Sequence, residues 1–411
     1  MNLKSLYCIA ICLLIACSTS AQWLAADSTS TGNFMAMSFA TPARGCITGE
    51  AQGHIRYTHN AFITAVNTPT DFTSEMYLDI QMLNAQDGYA CGGSWFGQHH
   101  TVLVRTNDGG INWNTVTADS IPGYAIEKIS FRTVDTGIFC TADTMYRTFD
   151  GGNTYTAIPA PFSTYGIRDI ILLPGNRIVA TGNSTTNTGV IVVSNNWGAT
   201  WSTVFSDTLS PVALGFYNNT GWAVCNNGWA VQTTNGGQNW TKTKIAGDSI
   251  FLTGVSVVNN DIAWISAYTS VNNGRLLVTK NGGSTWQQNF TTVTEPLISI
   301  SMPSLDTGYV ASYRYIYKTT NSGGLHLSVP ETQQEAARIR TWPNPATNKL
   351  YVALPARTSL QQVTITDMYG RSVRHYETPG TTIDLGDLAK GCYLVTMKTA
   401  DDTQVEKLLV E

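Results

Sequence analysis

One short pattern, Ser/Thr-x-Asp/Asn-x-Gly-x-x-aromatic, recurs along this 411-residue chain and restricts its possible folds more than any other feature. Six copies stand out: TNDGGINW (106–113), TFDGGNTY (148–155), SNNWGATW (194–201), TTNGGQNW (233–240), TKNGGSTW (279–286) and TTNSGGLH (319–326). A seventh, much worn, starts at Thr58 in THNAFITA. The seven starts lie 39 to 48 residues apart, which is the length of one four-stranded propeller blade. A second marker keeps phase with the first. Upstream of the box, an apolar strand leads to an Asp/Asn-x-Gly-aromatic corner and a second strand, as in ISFRTVDTGIFC (129–140), LGFYNNTGWAVC (214–225) and ISMPSLDTGYVA (300–311). The expected fold is therefore all-β: a seven-bladed propeller, each blade running strand, corner, strand, loop, strand, box turn, strand.

The box residues are those a tight turn needs. Asp108 and Asp150, or Asn196, Asn235, Asn281 and Asn321 in their place, accept hydrogen bonds from turn amides. The glycines permit positive φ. Trp113, Tyr155, Trp201, Trp240 and Trp286 are expected to fold back over the apolar side of their own blades, each burial stabilising by roughly 1.5–3 kcal/mol. Asn replaces Asp in four of the six clear boxes, which suits a turn cap and does not suit a catalytic carboxylate. The last box lacks its aromatic. Gln22-Trp23-Leu24 reads like the strand that follows a box, such as Trp286-Gln287-Gln288, so the N-terminal strand is expected to complete blade seven. Closure of this kind protects sheet edges from aggregation.

The N-terminus reads as an export leader. Lys4 precedes an eleven-residue apolar run, Leu6 to Ala16, shorter than the roughly 20 residues that span a bilayer, and small residues before Gln22 suit cleavage after Ala21. Leu14-Ile15-Ala16-Cys17 also has the form of a lipobox, which would lipidate Cys17. No later apolar run is long enough to be a transmembrane segment. Cleavage leaves Cys46, Cys91, Cys140, Cys225 and Cys392, an odd number without metal-ligand spacing, so buried strand thiols are expected and no metal. Cys91 and Cys140 hold equivalent places in successive repeats, too far apart to bridge. A net charge of −4 offers no field for a nucleic acid.

With these motifs in view, residues 23–327 resemble the photosystem II stability/assembly factor-like propellers and, more loosely, the Asp-box (bacterial neuraminidase repeat) superfamily. The likeness implies a fold and leaves activity open. Residues 336–411 resemble the type A sorting domain of the Bacteroidetes type IX secretion system. The matching elements are Trp342-Pro343-Asn344-Pro345-Ala346, VTITDMYGR (363–371), IDLGDLAKGCYLVTMK (383–398) and the final strand, Val405 to Val410. That resemblance implies passage through the periplasm, engagement of the type IX machinery, and release or attachment to outer-membrane lipopolysaccharide. Alternating Val363 and Ile365, then Tyr393, Val395 and Met397, with Gly370 and Gly391 at turns, predict a small antiparallel sandwich. The resulting division is a leader over 1–21, a propeller over 22–327, a polar linker over 328–338 and a sorting domain over 339–411.

The chemistry is harder to place. A sialidase would need three convergent arginines and a Tyr/Glu pair, yet the arginines are scattered, and Asp87, Asp135 and Asp306 belong to the repeated corner. No catalytic residue and no cofactor is nominated, because carboxylates about 5–9.5 Å apart cannot be paired from the sequence. His99-His100 reads as a solvated loop. Long second-to-third-strand loops are expected in blades two, four and six at 92–101, 182–190 and 267–275, on the face opposite the boxes. There Trp95, Phe96, His99, His100 and Tyr268 would offer platforms to a glycan or protein ligand, or would simply cap the channel. A non-enzymatic binding, adhesion or scaffolding propeller is the first expectation; a secreted glycoside hydrolase and an envelope component or assembly factor are the alternatives.

Overall fold

The computed structural model describes residues 23–28, 33–49, 55–62, 64–68, 76–94, 100–118, 121–123, 125–159, 162, 166–186, 188–290, 293–324, 339–354, 359–367, 371–399 and 403–411. The chain divides into two units, the break falling after Leu327.

In the first unit the described residues form seven four-stranded antiparallel sheets. Their first strands are Phe34–Thr41, Met76–Met82, Lys128–Phe131, Ile167–Leu173, Pro211–Tyr217, Ile250–Val257 and Leu297–Ser301. Each first strand packs on the next, and that of blade seven packs on that of blade one, so the ring is closed. Blade seven takes its outermost strand from the other end of the chain: Leu24–Ser28 pairs with Tyr315–Thr319. Trp23 occupies the place of the missing aromatic. It is buried, donates from Nε1 to Asn289 Oδ1 at 2.8 Å, and meets Trp264 edge-on with ring centroids 5.8 Å apart.

Each box is a closed knot of short-range hydrogen bonds. The opening hydroxyl (Thr58, Thr106, Thr148, Ser194, Thr233, Thr279, Thr319) accepts from the amide four residues on at 2.7–3.0 Å. It donates to the Asp or Asn two residues on, at 2.9–3.2 Å. The two residues that follow the Asp or Asn have positive φ in all seven, from Gly109 and Gly110 to Ala61 and Phe62 of the worn copy. Ala61 and Phe62 hold the left-handed geometry against their Cβ atoms, so the surrounding bonds outweigh a local cost of about 1–3 kcal/mol each. The fourth box amide then donates to the corner of the same blade, from Ala61 to Ala43, Gly109 to Gln86, Gly151 to Asp135, Trp197 to Asn176, Gly236 to Asn219, Gly282 to Asp261 and Ser322 to Asp306. The two phased markers are thus directly bonded, and both lie on one face of the ring.

The box aromatics reach the neighbouring blade as well as their own, where contacts with their own blade alone were expected. Trp286 of blade six meets Trp222 of blade five edge-on at 5.1 Å, and Trp201 of blade four donates to Pro159 O of blade three. Trp113 packs with Cys46 and Ile55 of blade one. Tyr155 touches Phe139 and Tyr146 of its own blade and joins a cluster containing Leu103 of blade two; Trp240 packs on Phe216 of its own blade and clusters with Val179 of blade four. Trp113 is buried in its seam, and Tyr155, Trp201, Trp240 and Trp286 are half-buried. A polar latch adds to several seams: Arg147 reaches Trp197 O, Gln232 reaches Gly282 O, and Lys318 of blade seven reaches Ala61 O of blade one. Cys46, Cys91, Cys140 and Cys225 are buried and unbridged in second strands, while Cys392 is half-buried.

The second unit is a sandwich of a three-stranded and a four-stranded antiparallel sheet around Val363, Ile365, Tyr393, Val395, Met397 and Leu408. Val410 lies in the final strand, Thr403–Val410, an edge strand of the larger sheet. Asn344, between Pro343 and Pro345, explains part of the Pro-Asn-Pro motif. Its carboxamide donates to Lys407 O at 2.7 Å and accepts from Leu409 N at 2.9 Å, imitating a neighbouring strand along that edge. Gly391 begins the strand Gly391–Lys398 instead of sitting in a turn, and Gly370 lies outside the described residues.

Candidate ligand-binding channel and loop face

The inner edge of each first strand faces the channel, because its other edge pairs with the second strand. Its free amides must find partners. Side chains of the preceding blade supply them. Ser38 Oγ accepts from Met82 N, Gln81 accepts from Phe131 N and donates to Phe131 O, and Ser130 accepts from Leu172 N. Ser256 accepts from Met302 N, and Ser301 accepts from Phe39 N across the closing seam.

Two residues before these positions the strands present a second row: Ala36, Asp79, Lys128, Asp169, Ala213, Gly254 and Ser299. Register fixes the row, since Asp79 opposes Cys91, Lys128 opposes Cys140, Asp169 opposes Thr181, and Gly254 opposes Ser266. Blades two, three and four therefore carry charge, while the other four carry small residues. Asp79 Oδ2 accepts from Ile129 N at 3.0 Å, and Lys128 Nζ stands 3.9 Å from Asp79 Oδ1. Asp169 accepts from Leu214 N at 2.7 Å and from its own neighbour Ile170 N at 2.9 Å. Burial pushes the Asp169 carboxyl up to about 6, against the lowering effect of Lys128 and the two amides. Burial also raises Asp79 and the adjacent Glu127. The Asp79 carboxylate, more than desolvation can offset, holds Lys128 above its ordinary range. Sequence reading passed over these three residues because none lies in a corner or a box. Stacking the seven first strands as MAMSF, YLDIQM, IEKISF, IRDIIL, VALGF, TGVSV and ISISM puts them in one column.

The loops differ from expectation in blades four and six. The segment 182–190 gives both its ends to strands, Arg177–Asn183 and Gly189–Ser194, and is closed between them by Ser184 N to Thr188 O at 2.8 Å. The segment 267–275 is likewise Ala263–Thr269 and Gly274–Thr279 joined by a Thr269–Asn273 turn. Hydroxyl and amide caps let the hairpins grow taller where open loops were expected. Tyr268 accordingly stands on a strand, half-buried, stacked on Phe251 with centroids 5.2 Å apart and planes 23° apart. In blade two, Ser94 N donates to His100 O at 3.0 Å, and His100 is half-buried; Trp95, Phe96 and His99 lie outside the described residues.

Family models match two parts of the chain: photosynthesis system II assembly factor YCF48 over residues 60–215, and secretion system C-terminal sorting domain over residues 340–411. Among solved structures, YCF48 bound to D1 peptide is similar with a TM-score of 0.58 and 18% identity, over 73% of this chain and 96% of that one. PorZ, a bacterial surface component of the type-IX secretion system of Porphyromonas gingivalis, is similar with a TM-score of 0.52 and 14% identity, over 94% of this chain and 60% of that one. A xyloglucanase from Xanthomonas campestris is similar with a TM-score of 0.56 and 13% identity, over 92% and 59%. No curated protein matches the chain. At such identities these structures speak for the fold alone. The seven phased blades and the strand sandwich together carry the assignment: the chain is a propeller of the YCF48 repeat type joined to a secretion-system C-terminal sorting domain, which marks it for type IX export to the cell surface or the medium.

Proposed function

We propose that the exported propeller is a non-enzymatic binding module, which takes a polypeptide segment at the channel mouth on the face opposite the boxes. The observation that carries this reading is the one-sided channel wall. Asp79, Lys128 and Asp169 supply fixed charge on three consecutive blades, while Ala36, Ala213, Gly254 and Ser299 leave room on the rest. The stacked Phe251–Tyr268 pair adds an aromatic platform at the same end of blade six. A similar propeller, YCF48, has been solved with a peptide bound, which supports a peptide over a glycan. The ring acts by rigid presentation, since each seam is stitched by side chains and the contacting groups lose little freedom on binding. In this reading a leader ending at Ala21 gives passage through the periplasm, and the protein is displayed on lipopolysaccharide or released.

A second reading, glycoside hydrolysis, draws on the two half-buried carboxylates with raised pKa in one channel. The experiment separates the two. The protein is screened against a peptide array, a glycan array and fluorogenic glycosides, alongside the Phe251→Ala/Tyr268→Ala and Asp79→Asn variants. Peptide capture weakened at least tenfold by the double aromatic variant is the expected result. Glycoside turnover abolished by Asp79→Asn would overturn the binding-only reading.

A further inference from the structure

The charged row on the channel wall holds two carboxylates for one ammonium, and this imbalance is independent of any ligand. We propose that Asp79, Lys128 and Asp169 form a proton-taking clasp that binds one proton as the medium turns mildly acidic and holds blades two to five together more firmly there.

The geometry decides which group takes the proton. Lys128 of blade three lies 3.9 Å from Asp79 of blade two, with side chains only 33% and 18% exposed. Asp169 of blade four has no ion-pair partner among the described residues and relies on the amides of Ile170 and Leu214. The other titratable or charged groups facing the row are Cys91 and Cys140 on the second strands, and Glu127 and Arg168 beside Lys128 and Asp169. Both thiols are held neutral by burial. Glu127 is a further carboxyl raised by burial and supplies no positive charge, and the Arg168 side chain is exposed. Two carboxylates at half depth therefore share one ammonium, which stands closer to Asp79 and compensates Asp169 only in part, a state that desolvation opposes. A neutral Asp169 removes that surplus and still offers its carbonyl oxygen to the Leu214 amide, which ties blade four to blade five.

The sign follows from linkage. Asp169 titrates near 6 in the folded ring and near 3.8 in its ordinary state. Between those values the folded chain holds a proton that the unfolded chain has released. The contribution of this group to stability is lowest above pH 6 and grows as pH falls toward 4. Two units of displacement correspond to a gain of up to roughly 100-fold in the folding constant.

The test compares urea unfolding of the full chain with its Asp169→Asn variant between pH 7.5 and 4.5. Asn keeps a carbonyl acceptor for Leu214 and carries no charge. The expected result is that acidification favours the wild type over the variant, the ratio of folding constants shifting by tenfold or more. Parallel pH curves would overturn the proposal. Should the variant not fold, carboxyl-labelled aspartate in the wild type reports the same quantity by NMR. A buried aspartate titrating near 6, and moving higher in Lys128→Met, is expected; a buried set titrating only below 4.5, or one unmoved by Lys128→Met, would overturn it.

Discussion

Trp23→Ala is the sharpest test of how the ring closes. Trp23 is 5% exposed, and its indole lies against Trp264 while donating to Asn289. Truncating a buried aromatic costs about 3–5 kcal/mol, a range that already contains the cavity left behind. The variant also orphans Asn289 Oδ1, which adds about 1 kcal/mol where water enters poorly. A loss of about 4–6 kcal/mol is a large share of the roughly 5–15 kcal/mol that keeps a domain folded. The control sits one residue away: Leu24 is 56% exposed, and Leu24→Ala should cost no more than about 0.5 kcal/mol. Urea unfolding followed by tryptophan fluorescence and by far-ultraviolet dichroism measures both. Limited thermolysis should release the N-terminal segment from the Trp23 variant first, because Leu24–Ser28 then loses its aromatic anchor and keeps only backbone pairing, the Ala26 contact and the bonds of Arg56 to Asp27 and Ser28. A loss below about 1 kcal/mol, or equal effects of the two substitutions, would refute the assignment of Trp23 as the missing eighth residue of the last box.

Other predictions address the boxes, the thiols and the sorting unit. Asp150 is lowered by hydrogen bonds from the Thr154 side chain and amide, so its box contributes stability above the ordinary carboxylate range and loses it as pH falls through the depressed value. Asp150→Asn should flatten that acid limb in a melting series and leave the neutral melting point close to that of the wild type, since Asn caps the same turn in four other boxes; a large neutral loss would mean the carboxylate does more than cap. Thr148→Val should cost about 1–2 kcal/mol by calorimetry, since it strands the Gly152 amide. In a chain starting at residue 22, a thiol reagent at pH 8 should modify Cys392 alone in the native state, because burial raises Cys46, Cys91, Cys140 and Cys225, the last to about 12. Asn344→Ala should accelerate exchange of the Leu409 amide by about tenfold, the equivalent of one lost bond of about 1.4 kcal/mol.

The blade count was readable because each box completes its side-chain bonding within seven residues, leaving its signature in a contiguous string. The worn copy at Thr58 shows how far this goes: Ala61 and Phe62 have lost both glycines, yet Thr58 and Asn60 keep the turn. Closure by the N-terminal strand was readable for a related reason, since Trp23-Leu24 carries the pattern of a fourth strand without its box. What lay beyond reach was partnership across seams. Whether Trp286 covers its own sheet or reaches Trp222 depends on blade twist, which no local pattern records. The Asp79–Lys128–Asp169 row was hidden similarly, because its members are 41 to 49 residues apart and meet only when the ring shuts. Loop height in blades four and six was misjudged because Ser, Thr and Asn at hairpin tips look alike in tall turns and open loops.

Blade seven has a mechanical consequence. The strand from which the chain departs toward the sorting unit, Tyr315–Thr319, is an interior strand with Gly308–Ser312 on one flank and Leu24–Ser28 on the other. A pull on the tail must shear two ladders of hydrogen bonds at once, where an outermost strand would unzip one bond at a time. The first residues of the propeller thus act as a doubler plate at the point where any load on the tail enters the ring, and trimming them should lower the force at which the propeller tears.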